Sequence, residues 1–403
     1  MALATLALRR ELARVFPDRP FAVRLWDGTT VPSTTSPQAP EFAARRPAAL
    51  AHFLRAPGEL GLGRAYVAGD LVVDDLDGAF LVFETWEPPP ISVADRLRLS
   101  AAAALAAARG GLPRRPQLEL LLRGERHSLE RDAAAIRYHY DVGNEFFALF
   151  LDDSMTYSCG IFSQGAQTLE EAQRCKLDLV AKKLALRPGQ RVLDVGCGWA
   201  SFAIHAAREY GVQVVGITLS ERQVGLARRR VAEAGLEDRI EIRLQDYRKV
   251  ADRPFDAIAS IGMVEHVGER RIDEYARILR RLLTPEGLLL NHGIALTDPN
   301  YDISQDVVSD RYVFPDGEPL PLSRIQLALE RAGFVTLHVE GFADDYAETL
   351  RHWTARLDEH LDAARAIGGE EQTRIWRLYL RAARHGFVTG LTNVYQVRAR
   401  PAN

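Results

Sequence analysis

Lysine is almost absent from this chain of 403 residues. Of its 51 basic side chains only Lys176, Lys182, Lys183 and Lys249 are lysines, and the other 47 are arginines. Alongside so many alanines, this bias reads as genome composition rather than mechanism. Cysteine is nearly as scarce: Cys159, Cys175 and Cys197 are too few for a disulfide framework and suit a reducing cytoplasm. No Cys/His set has zinc-ligand spacing, so no metal is expected, and neither a G-x-S-x-G nor a Walker motif is present. An excess of one charge is missing too. The formal net charge is −3, which gives no global pull toward nucleic acid. Long apolar runs are lacking, since the best stretch, Leu99 to Ala108, is too short to span a bilayer. At the N-terminus the charges of Arg9 and Arg10 follow the apolar residues, the reverse of a secretory signal. What is there is a soluble globular composition, 47% hydrophobic and 26% charged, in a chain long enough for two domains.

Two textures divide the chain. Residues 1 to about 125 read as a small α+β unit. A strand from Phe21 runs into the Asp27-Gly28 turn, Pro88-Pro89-Pro90 stops the chain, and a helix follows from about Ser92 to Arg109. Gly110-Gly111 and Pro113 to Pro116 make a linker. From 126 onward short apolar runs alternate with amphipathic helices. The runs are 191–195, 212–217, 240–244, 255–261 and 287–291, and the helices between them are 201–210, 220–234 and 272–283. This spacing predicts an α/β fold with a doubly wound, mostly parallel sheet, closed by runs at 334–339 and 394–398, the last of them antiparallel.

The sharpest local motif is Val192-Leu-Asp194-Val-Gly196-Cys-Gly198-Trp. A strand ends, glycines turn the backbone sharply, and a ligand can lie against bare backbone at the next helix N-terminus. The third glycine of a dinucleotide fingerprint is missing, and an Asp two residues before the first Gly is foreign to that fingerprint. The segment resembles class I S-adenosylmethionine (SAM) methyltransferases. After the second run, Thr218 and Gln223 offer a hydroxyl and an amide for a ribose, while Ser220 reads equally as the cap of the next helix. After the third, Gln245 and Asp246 stand at the usual adenine edge, where Asp246 is either an acceptor or a solvated loop carboxylate.

Five further stretches point one way: Tyr138 to Phe147, Met155 to Phe162, Gly262 to Gly268, Asn291 to Ile294, and Asp344 to Leu350. In this order they resemble the cyclopropane-fatty-acyl-phospholipid synthases, with the mycolic-acid cyclopropane synthases as cousins, from about 126 to the C-terminus. The resemblance implies a catalytic domain at 126–403 and a lipid-engaging domain with linker at 1–125. It implies that Tyr157, Ser158, Asp194, Gly196, Gly198, Thr218, Gln223, Gln245 and Asp246 surround SAM. It further implies that Cys159, Glu265, His292, Ile294 (through its backbone) and Tyr346 hold a bicarbonate ion beside the reacting carbon. Taken singly, Cys159 and His292 read as ordinary core residues and Glu265 as a surface charge.

The implied reaction joins the methyl carbon of SAM to a cis double bond of an unsaturated phospholipid acyl chain and closes a cyclopropane ring. A methylene- or methyl-branched product, a small-molecule methyltransferase and a non-catalytic lipid binder are the alternatives. Expected partners are unsaturated phospholipid, reached by peripheral contact with the inner face of a bacterial membrane, and a second copy in a homodimer; nucleic acid is not among them. The basic stretch Arg109 to Arg126 is the candidate for headgroup contact, and equally a linker with solvated arginines.

Overall fold

The structure, a computed structural model, describes residues 2–108, 113–120, 124–140, 142–301 and 307–402. It forms two compact units: Met1–Leu120 with Asp306–Val313 and Gly368–His385, and Leu121–Gln305 with Phe314–Ile367 and Gly386–Asn403. A single cut near residue 125 is the sequence expectation; the units are instead discontinuous, because two later segments make their contacts with the N-terminal one.

The first unit holds a small sheet in the order β2-β1-β3-β4, formed by β1 (Ala22–Arg24), β2 (Thr30–Val31), β3 (Glu41–Ala44) and β4 (Leu71–Val73). The Asp27-Gly28 turn closes the β1–β2 hairpin, with Gly28 at φ 86°, a conformation that suits a residue without a Cβ. Leu8, Leu25, Ala44, Ala49, Ala65, Leu71 and Ala103 form its core. Leu8 comes from a helix at Ala2–Val15, which includes the apolar residues of the N-terminus.

The second unit is built on seven strands: β5 (Arg191–Val195), β6 (Gln213–Thr218), β7 (Ile240–Leu244), β8 (Phe255–Ile261), β9 (Leu283–Leu296), β10 (Phe334–Gly341) and β11 (Thr392–Pro401). Their order is β10-β11-β9-β8-β5-β6-β7. The pairs from β9 to β7 are parallel, and β11 enters antiparallel between β9 and β10. Alternation along β5 explains the two-sided core. Leu193 and Val195 pack with the face covered by Ile272–Leu282 and Leu322–Arg331, while Val192 packs with Leu169–Lys183, Ser201–Tyr210 and Glu221–Glu233. Strand order reverses between β5 and β8. In an open parallel sheet the crevice beyond the carboxyl ends of those two strands is where a ligand fits.

Candidate active site

A cleft opens at that switch point, with a free volume of about 1140 Å³ including its mouth. Its floor is the turn after β5. Gly196 (φ 77°) and Gly198 (φ 55°) turn the chain through the left-handed region, and both Gly196 N–H and Cys197 N–H donate to Ile217 O at 3.0 Å. The sheet must be thin here: a Cβ on Gly216 would sit 3.0 Å from Cys197 Sγ. Asp194 lies buried at the end of β5, and its Oδ2 has no partner among the described residues. Burial pushes its carboxyl up to about 7.

The second wall begins where β6 ends. Thr218 Oγ1 donates to Gln223 Oε1 at 2.6 Å, and Ser220 caps the following helix by accepting from Gln223 N–H. The capping and binding readings of this segment therefore use different atoms. Gln245 Nε2 donates to Lys249 O. Asp246 is held by Arg248, whose Nε and Nη2 donate to its two oxygens at 2.8 and 2.6 Å while Nη2 also reaches Asp132 at 2.8 Å. Asp246 is thus neither free nor merely solvated.

The third wall carries Tyr157 and Ser158. Tyr157 stacks on His139 at 5.6 Å and lies 5.3 Å from Phe147 and 5.2 Å from Trp353. Asn144, from the stretch Tyr138 to Phe147, accepts from the Trp199 indole at 2.8 Å, which ties that stretch to the glycine turn. Asp141 of the same stretch lies outside the described residues. All nine residues expected around SAM line this one cleft. Sequence reading missed Tyr140, Lys176 and Arg248, which line it as well. The signal for Lys176 was available. It and Gln173 sit on the apolar stripe Leu169, Ala172, Leu177, Val180 of an amphipathic helix, where a polar residue is out of place.

The five residues of the second cluster do not line the cleft but stand next to it. Glu265 follows Met263 and precedes His266, both of which do line it. Beyond the end of β8, Glu265 Oε1 accepts from Ile294 N–H at 2.7 Å, taking the place of the next ladder carbonyl. Its Oε2 is shielded and has no partner among the described residues. Burial pushes this carboxyl up to about 7. His292 is buried on β9 and its Nδ1 lies 3.1 Å from Gln396 Nε2 on β11. An amide N–H donating there puts the imidazole proton on Nε2, which has no partner among the described residues. Burial drives this histidine down to about 3, so the ring is neutral.

Cys159 is fully buried, with Sγ 3.1 Å from Gly160 O and 3.8 Å from Phe342 O, and burial holds its thiol well above the ordinary range. It is a neutral thiol, not a nucleophile. Tyr346 N–H donates to the same Phe342 O, and its ring lies 4.6 Å from Phe387. Phe342 N–H in turn donates to Val394 O, across β11 from Ile294. The structure thus joins Glu265 to Ile294 directly, and Cys159 and Tyr346 through Phe342. No group of His, Cys, Asp and Glu among the described residues could hold a metal ion.

Residues 127–397 match the family described as Mycolic acid cyclopropane synthetase. A protein of Mycobacterium tuberculosis named "Probable fatty acid methyltransferase" is 40% identical over 88% of this chain and 85% of its own. The cyclopropane-fatty-acyl-phospholipid synthase of Escherichia coli is 35% identical over 84% of this chain and 82% of its own. Among solved structures, a mycolic acid cyclopropane synthase complexed with SAH and CTAB superposes with a TM-score of 0.63 at 33% identity, covering 66% of this chain and 97% of that one. The fold, the cleft at its switch point and these matches agree: the chain belongs to the mycolic acid cyclopropane synthetase family and is a SAM-dependent methyltransferase of class I fold.

Proposed function

We propose that the chain uses SAM to convert a cis double bond of an unsaturated phospholipid acyl chain into a cyclopropane ring, with bicarbonate as a second bound group. The observation that carries this reading is the pair of shielded, unpartnered polar atoms beside the cofactor cleft, Glu265 Oε2 and His292 Nε2. Buried polar atoms are rarely left unsatisfied, and an acceptor with a donor fits a small oxyanion that carries one proton. On the cofactor side, the bare backbone at Gly196 and Gly198 and the unpartnered Asp194 Oδ2 fit the methionine end of SAM. When bound, SAM supplies an electrophilic methyl group and bicarbonate a proton acceptor.

The protein's own part follows from the chemistry of the alkene. An isolated double bond is a weak nucleophile, and gaining a methyl group leaves a carbocation on the adjacent carbon. Ring closure then needs a proton removed from that new methyl, in a site dry enough to prevent water capture. Glu265 spends Oε1 on Ile294 N–H and keeps Oε2 to orient the acceptor, while the Nε2 proton of neutral His292 donates to it. Cys159 is protonated, and its Sγ is turned toward Gly160 O and Phe342 O, so it adds no base to the site. Tyr157, with Phe147 and Trp353 packed on it, presents ring faces that exclude water and favour positive charge.

A methyl- or methylene-branched product is the second reading, favoured by the relative named a fatty acid methyltransferase. Incubation with SAM and vesicles of monounsaturated phospholipid, followed by mass spectrometry and NMR of the fatty-acid methyl esters, separates the two. Addition of one CH2 with cyclopropyl proton signals is the expected result. Vinylidene signals would select the second reading, and SAM binding without any lipid product would remove both.

A further inference from the structure

Lys176 is one of only four lysines in the chain, and it is 1% exposed. It lines the cleft together with Ser158 and Asp194. Its Nζ donates to Ser158 Oγ at 2.9 Å, and one turn earlier on the same helix Gln173 Nε2 donates to Ser158 O at 2.8 Å. The helix Leu169–Lys183 therefore grips Ser158 by both its side chain and its backbone. The ionisable groups that face the Lys176 ammonium are Asp152, Cys159 and Asp194, with His205 and His292 also within its field. Asp152 accepts from Ser154 N–H and Thr156 N–H at 3.0 and 2.9 Å, which leaves Asp194, with its unpartnered oxygen, as the carboxylate open to the cleft. Asp194 is thus the carboxylate placed to meet a ligand's ammonium group.

We propose that Lys176 is a positioning residue of the cofactor site, whose ammonium fixes Ser158 and keeps Asp194 ionised to receive the amino group of the methionine moiety. The inference rests on the SAM reading of the cleft. A compact ammonium suits the place: it points one donor at a hydroxyl and can give up its proton when buried, which a guanidinium cannot. Burial pushes Lys176 down to about 8 and Asp194 up to about 7, with the Lys176 charge acting to pull Asp194 back. The two shifts run in opposite senses, so the pair carries both charges over a narrower span of pH than free groups would.

Calorimetric titration of SAH into the full-length protein across the neutral to mildly alkaline range tests this, with Lys176→Gln and Lys176→Met as variants. The unaltered protein should bind best between about 7 and 8, losing affinity below as Asp194 gains a proton and above as Lys176 loses one. Both variants should bind about tenfold more weakly at the optimum, the effect of an Asp194 whose carboxyl is raised further without the Lys176 charge and is mostly protonated there. They should also lose the fall near 8, and their acidic fall should move to higher pH. Lys176→Gln keeps a donor for Ser158, so it isolates the charge and decides the matter if Lys176→Met does not fold. Folded variants with unaltered affinity and pH profile would overturn the proposal. No SAH binding by the unaltered protein would instead overturn the cofactor reading on which it rests.

Discussion

Glu265 combines structural and chemical roles on one carboxylate: Oε1 terminates the β8–β9 ladder at Ile294, and Oε2 is left for a ligand. Glu265→Gln retains an acceptor for Ile294 N–H but loses the charge that orients a proton acceptor. Turnover should fall about 100-fold or more, the scale of a lost acid–base contribution, while SAH affinity stays within about twofold. Near-normal turnover would remove Glu265 from the reaction. With its folded value raised to about 7, the carboxyl is largely protonated below that, so kcat/KM should drop as pH falls through 7. The stability effect has the opposite sense. The folded state holds the Glu265 proton across the window from the ordinary carboxylate range up to about 7, so the stability tied to this group is lost as pH rises through it. Above that window the buried charge is a cost that Gln removes, so by scanning calorimetry at about pH 8 the variant should melt no lower than the parent. Seven of the residues that the resemblance places around SAM end or follow strands β5, β6 and β7 or open the next helix, where periodicity marks the place, whereas Tyr157 and Ser158 lie in an irregular stretch that only the resemblance pointed to. Lys176 sits in the middle of a helix, away from any strand end, and only its place on the apolar stripe marks it.

At the level of elements, β9 is where the site depends most on the sheet. It supplies His292 and Ile294 on either side of Gly293, and a Cβ on Gly293 would collide with Val264 Cγ1 and stand 3.4 Å from Glu265 Oε2. Gly293→Ala should therefore displace the Glu265 loop. A stability loss of about 1–3 kcal/mol is the usual cost of such overpacking, and turnover should fall much further than SAH binding, since the nine residues expected around SAM all lie outside the Glu265 loop. Loss of SAH binding in a folded Gly293→Ala protein would contradict this separation. The strand–helix alternation was readable because buried parallel strands are short apolar runs. The full length of β9 was not: Pro285-Glu-Gly287 looks like a turn, yet β9 starts at Leu283, with Pro285 and Glu286 exposed beside a register shift in the β8 pairing. The helix Ala2–Val15 leaves a faint periodic signal because its small and polar residues dilute the stripe that Thr5, Leu8 and Val15 bury.

For the whole molecule, the basic stretch expected to meet headgroups has part of its charge paired by the fold. Arg115 pairs with Glu119 at 2.7 Å and Arg126 with Asp316 at 2.9 Å, whereas residues 109–112 and 121–123 lie outside the described residues. In both pairs the carboxylate is buried while the arginine stays partly exposed. Charge contacts made at such an exposed surface are screened by salt, so any membrane contact through this stretch should be salt-sensitive. Vesicle-dependent turnover should decline as ionic strength rises, with SAH binding little affected; an equal decline in both would point away from headgroup contact. No helix among the described residues is long and apolar enough to cross a membrane. The discontinuous units were not legible, since contacts made by segments more than 180 residues further along leave no periodic trace in a linear sequence. The central claim is that the carbon taken from SAM loses a proton as the ring closes. Turnover of a monounsaturated phospholipid with SAM trideuterated at its methyl group, read by mass spectrometry of the product fatty acids, tests this most directly. The expected product keeps two of the three deuterons and shows cyclopropyl resonances. Retention of all three in a methyl-branched chain would contradict it.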